Sequence, residues 1–456
     1  MPVFLTAVAL ALLSVPSVAA AAAESPEIDA LYSAQAYAPI WFSQGHLSAA
    51  GAGLLRELGA AESRGLLVSD YDEPSLRRRL AEIASIAPTF SNTPADAIGR
   101  LDVALSVAAA RIATDLHEGR ISPRSVGYEL DVPRTPFDAA AAVASLAASE
   151  NVGAALDALE PQLQHYRLLK SALAQYRALA APGDTRVQKI VLSLERVRWL
   201  PRLDSPPIIV NIPQFRLFAF RTTQDSASDI LQMNVIVGSA FKARRTPVFS
   251  ADMKYVVIHP YWDVPRSILL KELLPGIQAD AESVAQGGYE IVRGDSDDAL
   301  VMAPTQENVE RLARGELRLR QKPGPKNALG DVKFIFPNRH NVYLHDTPAR
   351  SLFNKSRRAF SHGCIRVSDP MALLAHVMRD DPSWTQQRLA AALEGARPVR
   401  VQLVKPIRVF ILYGTALATE SGETLFFDDI YEQDAKLTGD LRKRAALLST
   451  QRARLH

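Results

Sequence analysis

The chain holds one cysteine, Cys364, in the string Ser361-His362-Gly363-Cys364, and a second histidine, His345, lies nineteen residues upstream at the end of the run NVYLHD. A thiol with a pKa of about 8.5 is only a few per cent ionised at neutral pH. It becomes a nucleophile when an imidazole within hydrogen-bond reach takes its proton or holds it as an ion pair. Cys364 and His345 are the residue types for those two parts of an acyl transfer. The imidazole also needs an acceptor for its other nitrogen, and a backbone carbonyl beside Asp346, or Asp346 itself, is available. Gly363 permits close backbone approach, which makes the N–H groups of Gly363 and Cys364 candidates for an oxyanion hole. Taken alone, the pair leaves a bland reading open, since buried cysteines and core histidines are common.

The full string narrows this. His345, fifteen intervening residues, Ser-His-Gly-Cys, an apolar residue and Arg366 together resemble the active-site signature of the YkuD-type L,D-transpeptidases. RRTPVFS (Arg244 to Ser250), HPYWDVPRSI, KPGPKNALGDVKFIFPN and NVYLHDTP are similar to the long-form YcbB branch of that family. Upstream, YAPIW (Tyr37 to Trp41), RGLLVSDY (Arg64 to Tyr71) and HEGRISP resemble that branch's helical scaffold domain. The resemblance implies Cys364 as nucleophile and His345 as base, with Ser361, His362, Gly363 and Arg366 completing the signature. Tyr343 matches a cleft-lining residue, Trp262 is a candidate cleft aromatic, and Tyr261 reads as core. The implied chemistry is attack on the L,D-peptide bond of a tetrapeptide stem, release of D-Ala, a Cys364 thioester and a 3→3 cross-link, with carbapenems as trapping electrophiles and a role in cell-wall organisation and cell shape. No metal or other cofactor is needed, because the acyl-enzyme keeps the energy of the broken amide.

Three other readings share these residues. Water as acceptor would make an L,D-carboxypeptidase, a protein lysine would make an enzyme that anchors proteins to peptidoglycan, and an inert site would leave a wall-binding scaffold. Papain-type and caspase-type cysteine strings are absent, as is HExxH, and one cysteine cannot build a thiolate zinc site.

The elements that must position the site follow from the hydrophobic patterning. Residues 24–186 are Ala- and Leu-rich with helical spacing, as in Leu101, Leu105, Ala108, Ile112 and Leu116. They predict a helical scaffold domain, itself a candidate surface for cell-wall synthesis or division proteins. From 187 to 405, β-branched and aromatic runs at Ile208–Phe220, Leu231–Gly238, Met253–Pro260, Val332–Pro337 and Asn341–Asp346 predict a catalytic domain of sandwich or small-barrel type. An insertion at about 265–325 reads as a capping subdomain, and 406–456 as a C-terminal strand and helical tail. Asp369 before Pro370, and Ser383, mark two late helix starts. The expected class is therefore α+β multidomain. Long-form members carry a peptidoglycan-binding repeat between scaffold and catalytic domains, for which LAAPGDTRVQKIVLSLERVRWLP leaves no room.

Residues 1–23 read as a cleaved secretory signal, which places the mature chain in the periplasm. A net charge of +3 is too mild to indicate nucleic acid. Arg314, Arg318, Arg320, Lys322, Lys326, Lys333, Arg339, Arg357 and Arg358 suit a basic cleft rim for the carboxylates of stem peptides, or an ordinary solvated surface.

Overall fold

A computed structural model describes residues 18–455 apart from 24, 86–92, 131–135, 180, 182, 224 and 226–227, and it divides the chain into two compact units. Up to residue 17 the expected signal segment lies outside the described residues; residues 18–22 are helical, and Val18 and Ala22 are buried with Ile28, Tyr32 and Val103. No helix among the described residues is long and apolar enough to cross a membrane.

The first unit is helical. Its central helix, Thr93–Glu118, buries the predicted stripe of Leu101, Leu105, Ala108, Ile112 and Leu116 in a core shared with Leu54, Leu58, Leu146 and Leu156. Ser48, Asp138 and Asn151 cap the helices Ala49–Gly59, Ala139–Ala147 and Val152–Leu159 by accepting backbone N–H groups, which is why each begins where it does. Two boundaries differ from those the sequence suggested. Helix Thr185–Arg198 belongs to this unit, because Ile190, Leu194 and Val197 bury against Tyr166, Leu169 and Leu173. The segment from Gly414 onward also returns here, where Ala416 and Ala418 join the same cluster. Its helix Gln433–Leu455 is pinned by Arg444, 2.8 Å from Asp70 and 2.7 Å from Asp115.

The second unit is a closed barrel with a cap. Its strands are β1 (Ile208–Asn211), β2 (Arg216–Ala219), β3 (Leu231–Gly238), β4 (Phe249–Ile258), β5 (Trp262–Asp263), β6 (Tyr289–Arg293), β7 (Leu300–Met302), β8 (Arg318–Gln321), β9 (Val332–Ile335), β10 (Leu344–His345), β11 (Ala359–Ser361), β12 (Ile365–Val367) and β13 (Val399–Leu412). The run from Ile208 to Phe220 is two strands, because the chain turns at Phe215, whose φ of 55° lies in the left-handed region. The main sheet runs β11-β3-β12-β10-β9-β4-β13-β1-β2, and β2 pairs back onto β3, which closes the barrel and leaves only the short β11 with a single strand partner. β13 runs across residue 405, where a domain end was expected, pairing with β4 on both sides of a bulge between Gln402 and Ile407 and with β1 beyond it.

Between β4 and β9 the chain leaves the barrel to build the cap. Strands β5-β8-β6-β7 form a second sheet, and Leu269, Leu274, Ile277, Val309 and Leu312 pack with Ile291 and Leu319 as a separate small core. A π-helical turn at Leu269–Leu273 carries Glu272. Asp369 caps the helix Pro370–Met378 as its position suggested, whereas the next helix, Gln386–Glu394, is capped by Thr385 rather than Ser383.

Candidate active site

The site is built by strand register. Alternation sends Val332, Phe334, Leu344, Ile365 and Val367 into the barrel, where each is wholly buried. The residues between them face the other way. Lys333 on β9 is the cross-strand partner of His345 on β10, and His345 is the partner of Arg366 on β12. The three therefore form one row across three adjacent strands. Tyr343 and Cys364 stand just before β10 and β12, where the Ile365 N–H donates to the Tyr343 carbonyl at 3.1 Å and the Tyr343 ring lies 5.6 Å from that of His345, so both flank that row. Long-range pairing thus brings His345 and Cys364 together, along with Tyr343 and Arg366.

His345 is buried, and its Nδ1 lies 2.5 Å from the Asp346 carbonyl oxygen. That acceptor requires the proton on Nδ1 and leaves Nε2 as a lone pair. Of the two orienting groups the sequence offered, the backbone carbonyl does this; the Asp346 carboxylate instead accepts the Asp331 N–H at 3.0 Å and pairs with Arg350 at 3.0 Å. Burial, with the Arg366 guanidinium beside it, pulls the His345 imidazole down to about 3. Burial pushes the Cys364 thiol up, against hydrogen bonds from Tyr343 and the charges of Lys333 and Arg366. The thiol also lies 3.6 Å from the Asn341 carbonyl. Both shifts favour a neutral thiol beside a neutral imidazole, so the resting pair is poised for general-base transfer rather than held as an ion pair.

The turn that presents Cys364 is clamped from two sides. The Ser361 hydroxyl donates to the Cys364 carbonyl at 2.5 Å and accepts the Gly363 N–H at 3.1 Å. The Thr246 hydroxyl donates to the Gly363 carbonyl at 2.8 Å and accepts the Gly238 N–H at 2.8 Å. Gly363 has φ +122°, a conformation that L side chains rarely adopt. Two expectations are corrected by this geometry. The Gly363 N–H is engaged by Ser361 and is not a free oxyanion donor; the Cys364 N–H has no partner among the described residues and remains one. His362 does not orient the pair: its Nε2 lies 2.7 Å from Glu272 of the cap, which Arg244 also holds at 2.7 Å.

Trp262, on the first cap strand, lies close enough to Tyr343 to act on its hydroxyl and so reaches the cleft. Tyr261 is half-buried rather than core, with the Arg320 guanidinium 3.9 Å from its ring centroid. The basic rim is mostly committed elsewhere. Arg314 pairs with Glu316, Arg318 with Asp263 and Asp295, Arg320 with Glu290, and Arg339 with Glu129. Lys326 and Arg358 donate to backbone carbonyls. Thr246 and Glu272 escaped the sequence reading; the one signal for Thr246 was its place in the RRTP turn, and nothing local marks Glu272.

This arrangement, an oriented histidine and a single cysteine brought together by paired strands under a cap, agrees with two family comparisons. A model of a scaffold domain matches residues 26–173, and one of the L,D-transpeptidase catalytic domain, the YkuD family, matches residues 206–401. A curated relative from Haemophilus influenzae, named "Putative L,D-transpeptidase", is 33% identical over 263 residues, which are 56% of this chain and 51% of the relative. The chain thus spans about half the length of that relative. Residues 206–401 belong to the YkuD family of L,D-transpeptidase catalytic domains, carried behind a scaffold domain at residues 26–173.

Proposed function

We propose that this chain is a periplasmic cysteine acyltransferase that forms 3→3 cross-links between peptidoglycan stem peptides. The observation that carries the reading is the β10–β12 pairing that brings His345 and Cys364 together, with Nδ1 of the imidazole committed to the Asp346 carbonyl.

His345 Nε2 takes the Cys364 proton as the sulfur attacks the carbonyl between meso-diaminopimelate and the terminal D-Ala of a donor tetrapeptide. The resulting oxyanion is met by the Cys364 N–H, at the turn that Ser361 and Thr246 hold. The imidazolium then protonates the departing D-Ala amine, leaving a thioester and a neutral His345. The side-chain amine of a second stem attacks that thioester, passes its proton to His345, and regenerates the thiol. Sequestering the intermediate under the cap favours the amine over water as acceptor.

The test is mass spectrometry of disaccharide-tetrapeptide incubated with the chain lacking residues 1–23, beside Cys364→Ala. A dimer lighter by one D-Ala, made only with Cys364, is the expected product. Tripeptide without dimer would replace the reading with a carboxypeptidase, and no product from either protein would contradict it.

A further inference from the structure

Lys333 stands in β9 between Val332 and Phe334, and the strand's alternation turns its side chain onto the cleft face. There it flanks His345 on one side as Arg366 does on the other. Its Nζ lies 4.1 Å from the centroid of the Tyr343 ring, and Tyr343 stands beside Cys364, whose charge Lys333 also feels. Neither Lys333 nor Arg366 forms a salt bridge among the described residues, although Arg318, Arg320, Arg339 and Arg350 each hold a carboxylate. A half-buried ammonium that feels the Asp263 and Asp297 charges but forms no salt bridge with either, Asp263 being held by Arg318, leaves a place beside Cys364 for an incoming anion.

Covalent geometry says which anion fits. In an L,D-peptide donor the carboxylate of the leaving residue is joined through its α-carbon to the scissile nitrogen. Bond lengths of about 1.3–1.5 Å therefore keep it within about 4 Å of the carbonyl carbon under attack. With that carbon in contact with Sγ, the carboxylate falls within reach of a cation seated over the ring beside the thiol.

We propose that Lys333 binds the free carboxylate of the donor's leaving residue, which makes a carboxylate at that end a requirement of the donor. A carboxamide, or a further peptide-linked residue, offers no charge and leaves the ammonium unpaired, so such donors are rejected. The assignment rests on the transpeptidase reading of the Cys364 site.

Binding without turnover tests it. Donor tetrapeptide, as the free acid and as the terminal carboxamide, is titrated calorimetrically against the Cys364→Ala chain carrying Lys333, Lys333→Gln or Lys333→Arg. With Lys333 the free acid binds about 10- to 100-fold more tightly than the carboxamide, as expected for a charge-assisted contact. Lys333→Gln abolishes that difference by weakening the free acid alone, and Lys333→Arg retains most of it. Equal weakening of both forms, or a free-acid preference that survives Lys333→Gln, would overturn the proposal. Binding of neither form to the protein that keeps Lys333 would contradict the transpeptidase reading itself. In the Cys364 enzyme the same preference appears chiefly in KM, whereas a merely structural lysine would move kcat and KM for both donors together.

Discussion

The neutral resting pair makes a prediction about how Cys364 reacts with a small electrophile as pH is varied. A thiolate–imidazolium pair forms only if the thiol is the stronger acid. Here burial pushes the thiol up, while His345 is pulled down to about 3. The order is the reverse of the one an ion pair needs, so the neutral pair is the resting form. Free thiolate is likewise the minor form at pH 7. Because the raised thiol ionises only at higher pH, the second-order rate with iodoacetamide should rise about tenfold per pH unit. Between pH 6 and 8 that is about 100-fold, with no plateau. His345→Ala should leave this slope in place, since a neutral imidazole supplies no charge, yet slow acylation by donor peptide about 10²- to 10⁴-fold through loss of the base. The assay is stopped alkylation followed by intact mass. A rate flat between pH 5 and 8, lost in His345→Ala, would refute the reasoning and restore the ion pair.

Other consequences follow from single contacts. Thr246→Val keeps the shape but leaves the Gly238 N–H and the Gly363 carbonyl without the hydroxyl each uses, so a loss of about 2–4 kcal/mol is expected in urea denaturation, with slower donor acylation; Thr246→Ser should retain both, and an unaltered valine variant would contradict the clamp. Gly363→Ala meets only carbonyls at 3.7 and 3.9 Å, so its cost is the backbone conformation, about 1–3 kcal/mol, and acylation should fall at least about tenfold in single-turnover measurements. A rate within about twofold of the parent would exclude that strain. Arg444→Met removes a cation from Asp115, which burial already pushes up to about 6. A carboxyl raised by folding stabilises fully below its unfolded pKa and less as pH climbs through its folded pKa. Loss of Arg444 raises it further, so the drop in melting temperature should be larger at pH 8 than at pH 5; equal drops would contradict this ion pair's part.

Cys364, His345 and Gly363 could be picked out in the sequence as candidates because they lie in one short stretch with a fixed order of chemical types. The helical stripe around Leu105 was legible for a different reason, since helical spacing is local and its burial followed directly. Barrel closure was not, because it depends on β13 bridging β4 and β1, which are contacts between segments far apart in the chain, whereas the β2–β3 pairing that completes it joins neighbouring strands. The same long-range register decides that Lys333, His345 and Arg366 share a row, so the position of Lys333 beside the thiol could not be read from VKFIFP alone. Nor does a list of arginines reveal which are paired: Arg320 faces Glu290 thirty residues earlier, and Arg339 faces Glu129. His362 reads as part of the signature, yet its partner is Glu272 in the cap. Motif membership fixed its neighbourhood and left its direction to the tertiary structure.

The central claim is a thioester on Cys364 formed with loss of D-Ala, and intact-protein mass spectrometry tests it most directly. The protein is mixed with excess disaccharide-tetrapeptide, quenched in acid within seconds, weighed, and digested to locate the adduct. The account predicts a mass increase equal to the donor minus D-Ala, confined to the peptide containing Cys364, absent in Cys364→Ala and strongly reduced in His345→Ala. An adduct on another residue, or one that retains the D-Ala, would contradict it.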